Sequence, residues 1–349
     1  MNKTKTVLCI DNLDNFHKYK EGKYPSHLFY GAIEIEEANY QLLMKQCHGD
    51  NIIGMIKSLY IVIINCPDAI FCPFIRRSFI LIFLLKKLRL INIPIIGFIH
   101  KTPTTKNKYT KKIIKYLYSS IDTVFFLSPK TKTECLELNI TKKSCIPNWG
   151  GDLTFYDKNR NNELRDYFIS TGKENRDFST IIEAFSQTNS NIKIYTNTFN
   201  NDISYNYLIS VTKDIPNISI QIVENKGYIL LELLEKVSNS FCVVVPLIKD
   251  KIKYCVGLSS IIDAMSLGKP IIITDNPYHP IDVEKEHIGI KVPPNDTLAW
   301  KKAIEYLYNN PSIAIEMGKN ARLLAEKKYN MKKCGKIIIQ NLNEILLKK

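Results

Sequence analysis

Short β-branched runs alternate with helix-length segments along nearly the whole chain, and this alternation limits the fold more than any other feature. Thr6–Ile10, Tyr60–Ile64, Ile93–Ile99, Thr123–Leu127 and Ser144–Ile146 read as strands, with helical spacing in His27–Lys45, Phe74–Leu90, Tyr109–Ser120 and Lys130–Leu138. A second series of strands reads Tyr167–Ser170, Ile192–Tyr195, Ile218–Val223, Phe241–Pro246 and Pro270–Thr274. Its helices are Ser179–Gln187, Ile229–Asn239, Leu258–Leu267 and Leu298–Tyr308, followed by a helical tail from Ser312 to Leu347. Parallel neighbours need a crossover between them, so the pattern specifies parallel sheets covered by helices on both faces. The expectation is an α/β protein of two doubly wound, Rossmann-like domains facing across a cleft. A first domain spans 1–150 and a second 151–330, joined by the polar stretch Asn148–Arg165. Residues 331–349 are expected to form a helix that returns to the first domain.

At 349 residues, 45% hydrophobic and 23% charged, the chain matches ordinary globular proteins and excludes a disordered, collagenous or coiled-coil one. Its formal charge of +14 is uneven: residues 51–150 hold 16 basic side chains and 4 acidic ones. Such a surplus faces an anionic partner: lipid head groups, phosphates or nucleic acid. Lys106–Lys115 interleaves lysines with aromatic and aliphatic residues, as a helix lying on an anionic membrane does. The apolar run Phe79–Leu85, flanked by Arg76-Arg77 and Lys86-Lys87, reads as the buried side of a helix.

Nine cysteines, an odd number with no C-x-x-C pair, read as reduced thiols of a cytosolic protein rather than a disulfide frame or zinc site. A strand pattern begins at Thr6, so no signal peptide is expected, and the run Ser78–Leu85 is far short of a membrane span.

Ligands of open parallel sheets bind beyond the carboxyl ends of the strands, where helix N-termini present unpaired N–H groups. Two segments sit there. In Gly172-Lys-Glu-Asn-Arg-Asp177, glycine permits close approach to the backbone, and Lys173 and Arg176 add cations beside a helix start. These are the parts of a diphosphate site, and equally those of an ordinary polar turn. Neither a Walker A nor a G-x-G-x-x-G pattern occurs in it. In the second segment, Gly257 opens a helix that Ser259 and Ser260 can cap, and Asp263 lies about one turn inside. A helix start favours an anion, and a carboxylate there can accept two ribose hydroxyls; a plain capped helix has the same residues.

The run Gly257–Thr274 resembles the carboxyl-terminal signature of retaining GT-B glycosyltransferases, family 4 above all: Glu, seven residues, Glu, Ala-Met, then Gly-x-Pro. Asp263, Ala264, Met265, Gly268 and Pro270 match its second half. Four further landmarks occur in that family's order: Pro25–Gly31, His100, Asn148–Tyr156 and Gly172–Asp177, with a late Met317-Gly helix after them. The resemblance spans nearly the whole chain. It departs at Cys255, where the first glutamate would stand, and at Asp263, where Asp replaces the second, so the sugar cannot be carried over.

The resemblance implies a hexosyl-type transferase acting with retention on a nucleoside-diphosphate sugar. Lys173, Arg176, Gly172, Gly257, Leu258, Ser259 and Asp263 would bind the donor, and His100 would contact donor sugar or acceptor from the facing domain. His27 and Gly31 are acceptor-side candidates, and Glu224 and Tyr228 candidates for flanking the base. No metal or other cofactor is expected, because protein cations and helix dipoles would neutralise the leaving diphosphate. A glycan or lipid-linked acceptor at the inner face of the cytoplasmic membrane would fit a role in polysaccharide, O-antigen or capsule synthesis. Rival readings are an inverting GT-B transferase, a sugar-nucleotide epimerase and, outside the enzymes, a basic nucleic-acid binder. The basic stretches lack a helix-turn-helix signature or aromatic stacking module, which counts against the last.

Overall fold

Apolar strands sort the chain into two all-parallel sheets of six strands each. The structure, a computed structural model, describes residues 4–347 apart from 48, 104–106, 142, 159, 161–165, 198, 201–202, 206 and 224–228. Glu224, Tyr228 and Lys106 lie outside the described residues. The chain divides into two compact units, residues 1–150 with 330–349, and residues 151–329.

In the first unit, β1 (Thr6–Ile10), β2 (Gln41–Lys45), β3 (Ala69–Cys72), β4 (Ile95–Ile99), β5 (Thr123–Phe126) and β6 (Ser144–Cys145) take the order β2-β1-β3-β4-β5-β6. Helices α1 (Leu13–Lys20), α2 (Ala32–Glu37), α3 (Ile52–Asn65), α4 (Ile80–Lys87), α5 (Lys108–Tyr118) and α6 (Pro129–Glu137) connect them. Leu8, Ile70, Ile95, Val124 and Phe126 from the strands pack with Val62, Phe79, Ile82 and Phe83 from the helical layer. Phe79, Ile82 and Phe83 are therefore core, as the apolar run between basic residues suggested.

The second unit begins with α7 (Leu153–Asp157), β7 (Phe168–Thr171), α8 (Phe178–Ser186) and β8 (Ile192–Thr196). A short antiparallel pair, β9 (Phe199–Asn200) and β10 (Ile203–Ser204), precedes α9 (Tyr207–Val211), β11 (Ile218–Ile222), α10 (Ile229–Ser238) and β12 (Cys242–Val245). Then come α11 (Leu258–Leu267), β13 (Ile271–Thr274), β14 (Gly289–Val292), α12 (Thr297–Asn309) and α13 (Pro311–Lys327). The order β11-β8-β7-β12-β13-β14 reverses direction between β7 and β12, the switch point at which ligands of such sheets collect.

Several elements differ from their sequence reading. Tyr60–Ile64 is not a strand but the last turns of α3, whose N-cap Asn51 accepts the amide of Gly54. Its β-branched run suggested a strand, but tertiary context overrides propensity. His27–Lys45 is not one helix: a single 3-10 turn (Ser26–Phe29) and the six-residue α2 precede β2. The short strands β3 and β14 had no sequence assignment. The tail from Ser312 breaks before Asn330, which caps α14 (Met331–Leu346) by accepting the amide of Lys333.

Helix α14 packs on α2 in the first unit. Gly31, one of the acceptor-side candidates, lies against it: φ is +112°, and a Cβ there would lie 2.3 Å from Ile338 Cδ1. The isoleucine tip can give way, but the backbone angle cannot be relieved. Gly31→Ala is expected to destabilise the chain by about 1–3 kcal/mol, read as a lower urea midpoint. An unchanged midpoint would show that α14 does not depend on this contact.

Candidate functional site

At the switch point of the second sheet, the loop after β7 folds back on the segment after β12. Arg176 bridges to Leu247, Ile248 N–H donates to Asn175 carbonyl at 3.0 Å, and Asp177 N–H to Pro246 carbonyl. Asn175 takes a left-handed φ of 53° to make the turn. Asp177 then caps α8, accepting the Thr180 amide. The buried Tyr205 pins the loop: its hydroxyl accepts Arg176 N–H at 3.1 Å and its ring packs edge-on against Phe178.

This folding buries the Arg176 side chain, which is only 3% exposed. Its guanidinium donates to the Glu174 carbonyl (2.9 Å), to Ser260 Oγ (3.0 Å) and, at 3.4 Å, to the Thr171 carbonyl. Among the described residues its Nε has no hydrogen-bond partner. Among the described residues no carboxylate forms an ion pair with it, and burial lowers its pKa to about 10. Gly172 makes the room: at φ +110°, a Cβ there would meet Arg176 Nη2 at 2.6 Å. Gly257, at φ +88°, lies on the other side, 3.9 Å from Nη1 by its would-be Cβ.

Gly257 is itself the N-cap of α11, without a side-chain cap bond. Ser259 and Ser260, expected to cap this helix, do not. Ser259 is exposed, and the buried Ser260 accepts from Arg176 instead. Leu258 is buried and its N–H turns back to the Cys255 carbonyl. The positive end of α11 and the guanidinium of Arg176 thus lie side by side, two adjoining sources of positive potential. Lys173 differs from Arg176, for its side chain stands exposed.

Asp263, a turn further along α11, receives a hydrogen bond from the buried Tyr156 hydroxyl. Burial raises its pKa to about 6, and the tyrosine bond opposes that rise. Cys255 is buried, which pushes its thiol up to about 12. It is a neutral, weakly polar group where the resembled family has a carboxylate.

Sequence reasoning missed Asn276 and His279, which follow β13. Asn276 Nδ2 donates to the carbonyls of Tyr254 (3.1 Å) and Val256 (3.3 Å), and His279 Nε2 lies 2.8 Å from the same Val256 carbonyl. Together they hold the approach to α11. The signal that could have found them is their place just past a strand's carboxyl end.

In the first unit, His100 follows β4 and stacks on Phe74 (4.1 Å between centroids), with Tyr30 edge-on at 4.7 Å. Its Nε2 lies 2.9 Å from the Pro73 carbonyl. A carbonyl only accepts, so Nε2 carries the proton and Nδ1 is left as an acceptor. Burial lowers the pKa to about 4, keeping the ring neutral at pH 7. A neutral imidazole of this tautomer suits a hydroxyl rather than a phosphate. His27 is buried, its ring tilted against Trp149, whose indole N–H donates to the His27 carbonyl at 2.8 Å. Among the described residues, no group of three or more His, Cys, Asp or Glu side chains could hold a metal ion.

No protein-family model matches the chain, and no curated protein matches it. Solved structures match over its whole length. Sucrose-phosphate synthase of Thermosynechococcus elongatus aligns at 12% identity, covering 99% of this chain and 100% of its own, with a TM-score of 0.73. Anabaena HepE in complex with UDP and glucose aligns at 10% identity (97% and 99% covered, TM-score 0.63). A Listeria monocytogenes protein assigned as a UDP-N-acetylglucosamine 2-epimerase aligns at 11% (99% and 98%, TM-score 0.64). The chain has the GT-B fold, with a Rossmann-like sheet in each unit.

The raised pKa of Asp263 has a definite sign in stability. The unfolded carboxyl ionises near 3.9 and the folded one near 6, so folding loses free energy as pH rises through that window. Asp263→Asn should therefore stabilise the chain at pH 7, by about 1–3 kcal/mol, with no gain below pH 4. Melting curves that shift equally at both pH values would contradict this.

Proposed function

We propose that the chain is a glycosyltransferase that moves a sugar from a nucleoside-diphosphate sugar to a hydroxyl acceptor. Arg176 carries the reading. It is a buried guanidinium with no carboxylate partner among the described residues, seated between Gly172 and the N-terminus of α11. Burying an uncompensated charge is costly, and an anion arriving at that place recovers the cost. The structural neighbour HepE was solved with UDP and glucose, which supports a nucleotide sugar as the source of that anion.

The chemistry follows from the charges. As the bond between the sugar carbon and the phosphate oxygen breaks, negative charge grows on the leaving diphosphate. Arg176 and the start of α11 are already oriented toward it, so the stabilisation needs no reorganisation. Lys173, at the rim, adds a screened attraction. Asp263 accepts ribose hydroxyls beside its Tyr156 bond, and Leu258 and Ser259 line the helix start. His100, neutral and accepting through Nδ1, reads a hydroxyl of sugar or acceptor. The new glycosidic bond forms on the face the diphosphate leaves, a phosphate oxygen takes the acceptor's proton, and the anomeric configuration is retained.

The reading extends to a family 4-like enzyme of polysaccharide synthesis with a glycan or lipid-linked acceptor. The basic surplus of the first unit supports placement at the cytoplasmic face of a membrane. No helix among the described residues is long and apolar enough to cross one.

Isothermal titration with UDP and other nucleoside diphosphates tests the donor site. Arg176→Gln should lose about 1.5–3 kcal/mol of binding, the scale of hydrogen bonds to a charged group, and Lys173→Gln less. Equal affinity in a folded Arg176→Gln variant would remove the reading. Transfer to a sugar acceptor, with the diphosphate released in equal amount, separates a transferase from an epimerase, which needs no acceptor. Turnover should persist in excess EDTA; loss of activity restored by magnesium or manganese would place a metal in the mechanism.

A further inference from the structure

Helix α3 turns the wrong side to water. Its buried positions are Gly54, Ser58 and Val62, spaced four apart along one stripe. The opposite face exposes Ile52, Ile53, Ile56, Tyr60, Ile63 and Ile64, each 55–70% accessible. Six large apolar side chains on one 14-residue helix form a contiguous patch rather than scattered surface residues. Helix α4 packs beside α3, and α5 beside α4. Past the end of α4, Leu88 and Leu90 are exposed around Arg89, and α5 exposes Tyr109, Ile113 and Tyr116 among Lys108, Lys111, Lys112 and Lys115. Lys87 sits over the Tyr116 ring at 5.4 Å.

We infer that α3 is the membrane-inserting element of the first unit, its isoleucine face lying in the acyl boundary of an anionic bilayer while the lysines of α5 engage the head groups. The inference deepens the membrane placement proposed above and rests on it, but not on the chemistry of transfer. Apolar side chains on one face with lysines beside them are the pattern of an interfacial helix. At about 21 Å, α3 is too short to span and long enough to lie flat. Charge decides the partner. With 16 basic and 4 acidic side chains in residues 51–150, a second copy laid on this face would bring like charges together, whereas an anionic head-group layer is complementary. The run Tyr60–Ile64 has the composition of a strand, which conceals this face in the sequence.

Co-sedimentation of the full chain with phosphatidylcholine vesicles, with and without phosphatidylglycerol, tests the inference. Binding should require the anionic lipid and fall with salt. Ile53→Gln/Ile56→Gln/Ile63→Gln should weaken it at least about tenfold while leaving UDP affinity unchanged. Lys111→Gln/Lys112→Gln/Lys115→Gln should weaken it too and flatten its salt dependence. A tryptophan at position 56 (Ile56→Trp) should shift to the blue on vesicle addition and be quenched by brominated acyl chains, against the constant signal of the buried Trp149 and Trp300. If the intact chain ignores both kinds of vesicle, the membrane placement falls and the insertion with it. If it binds anionic vesicles but the isoleucine variant binds equally and the new tryptophan stays in water, the placement stands and the role of α3 is overturned. A dimer in sedimentation equilibrium that only the isoleucine variant dissolves, without vesicle binding, would assign the face to a second copy.

Discussion

A parallel strand cannot meet its neighbour through a tight turn, and every pair in both six-stranded sheets of this chain is parallel. Each strand must therefore be followed by a crossover, and helix starts gather at the carboxyl edges of the strands. From that requirement come the covered sheet faces, the buried β-branched strands, and one edge where backbone N–H groups point outward. Function needs only a place on that edge where the order reverses. In the second unit it lies between β7 and β12, and the loops leaving these two strands are the ones laced together by Arg176, Leu247 and Asn175.

What that edge holds is a buried charge that meets no carboxylate among the described residues. Arg176 could have been satisfied by a carboxylate; instead, among the described residues, its side-chain hydrogen bonds go to a carbonyl pair and a serine hydroxyl, and Nε has no partner. Of the two acids beside it in sequence, Asp177 accepts the Thr180 amide and Glu174 accepts the Tyr254 hydroxyl. Gly172 and Gly257 are both at positive φ, and a Cβ would collide with the Arg176 guanidinium at the first and with Val245 at the second. A desolvated cation and close backbone approach are thus concentrated where a diphosphate would be held, the pattern expected of a binding site rather than of core packing.

Much of the architecture was legible because most strands are dense runs of Ile, Val and Phe set apart by helix-length segments. The failures have physical causes. β2 (Gln41–Lys45) is an edge strand with an exposed end and merges with a helical pattern; β3 (Ala69–Cys72) is only four residues long. Tyr60–Ile64 was misread because outward isoleucines on a helix and inward ones on a strand have the same composition. Of the site, the types of residue at 172–177 and 257–263 could be read, but not the division of labour. Nothing local says that Arg176 is buried while Lys173 is exposed, or that Ser260 rather than Ser259 meets the guanidinium. Those facts depend on Tyr205 and on the segment after β12, both remote in sequence. Asn276 and His279 act through carbonyls 20 to 23 residues away and leave no motif at all.

The central claim is positional: an anionic diphosphate completes the buried Arg176 at the head of α11. A crystal structure of the full chain with UDP tests this most directly. The account predicts phosphate oxygens within hydrogen-bond distance of the Arg176 guanidinium and of the amides that open α11, with the ribose toward Asp263. UDP bound at another edge of the chain, with Arg176 still buried and its Nε unpartnered, would contradict it.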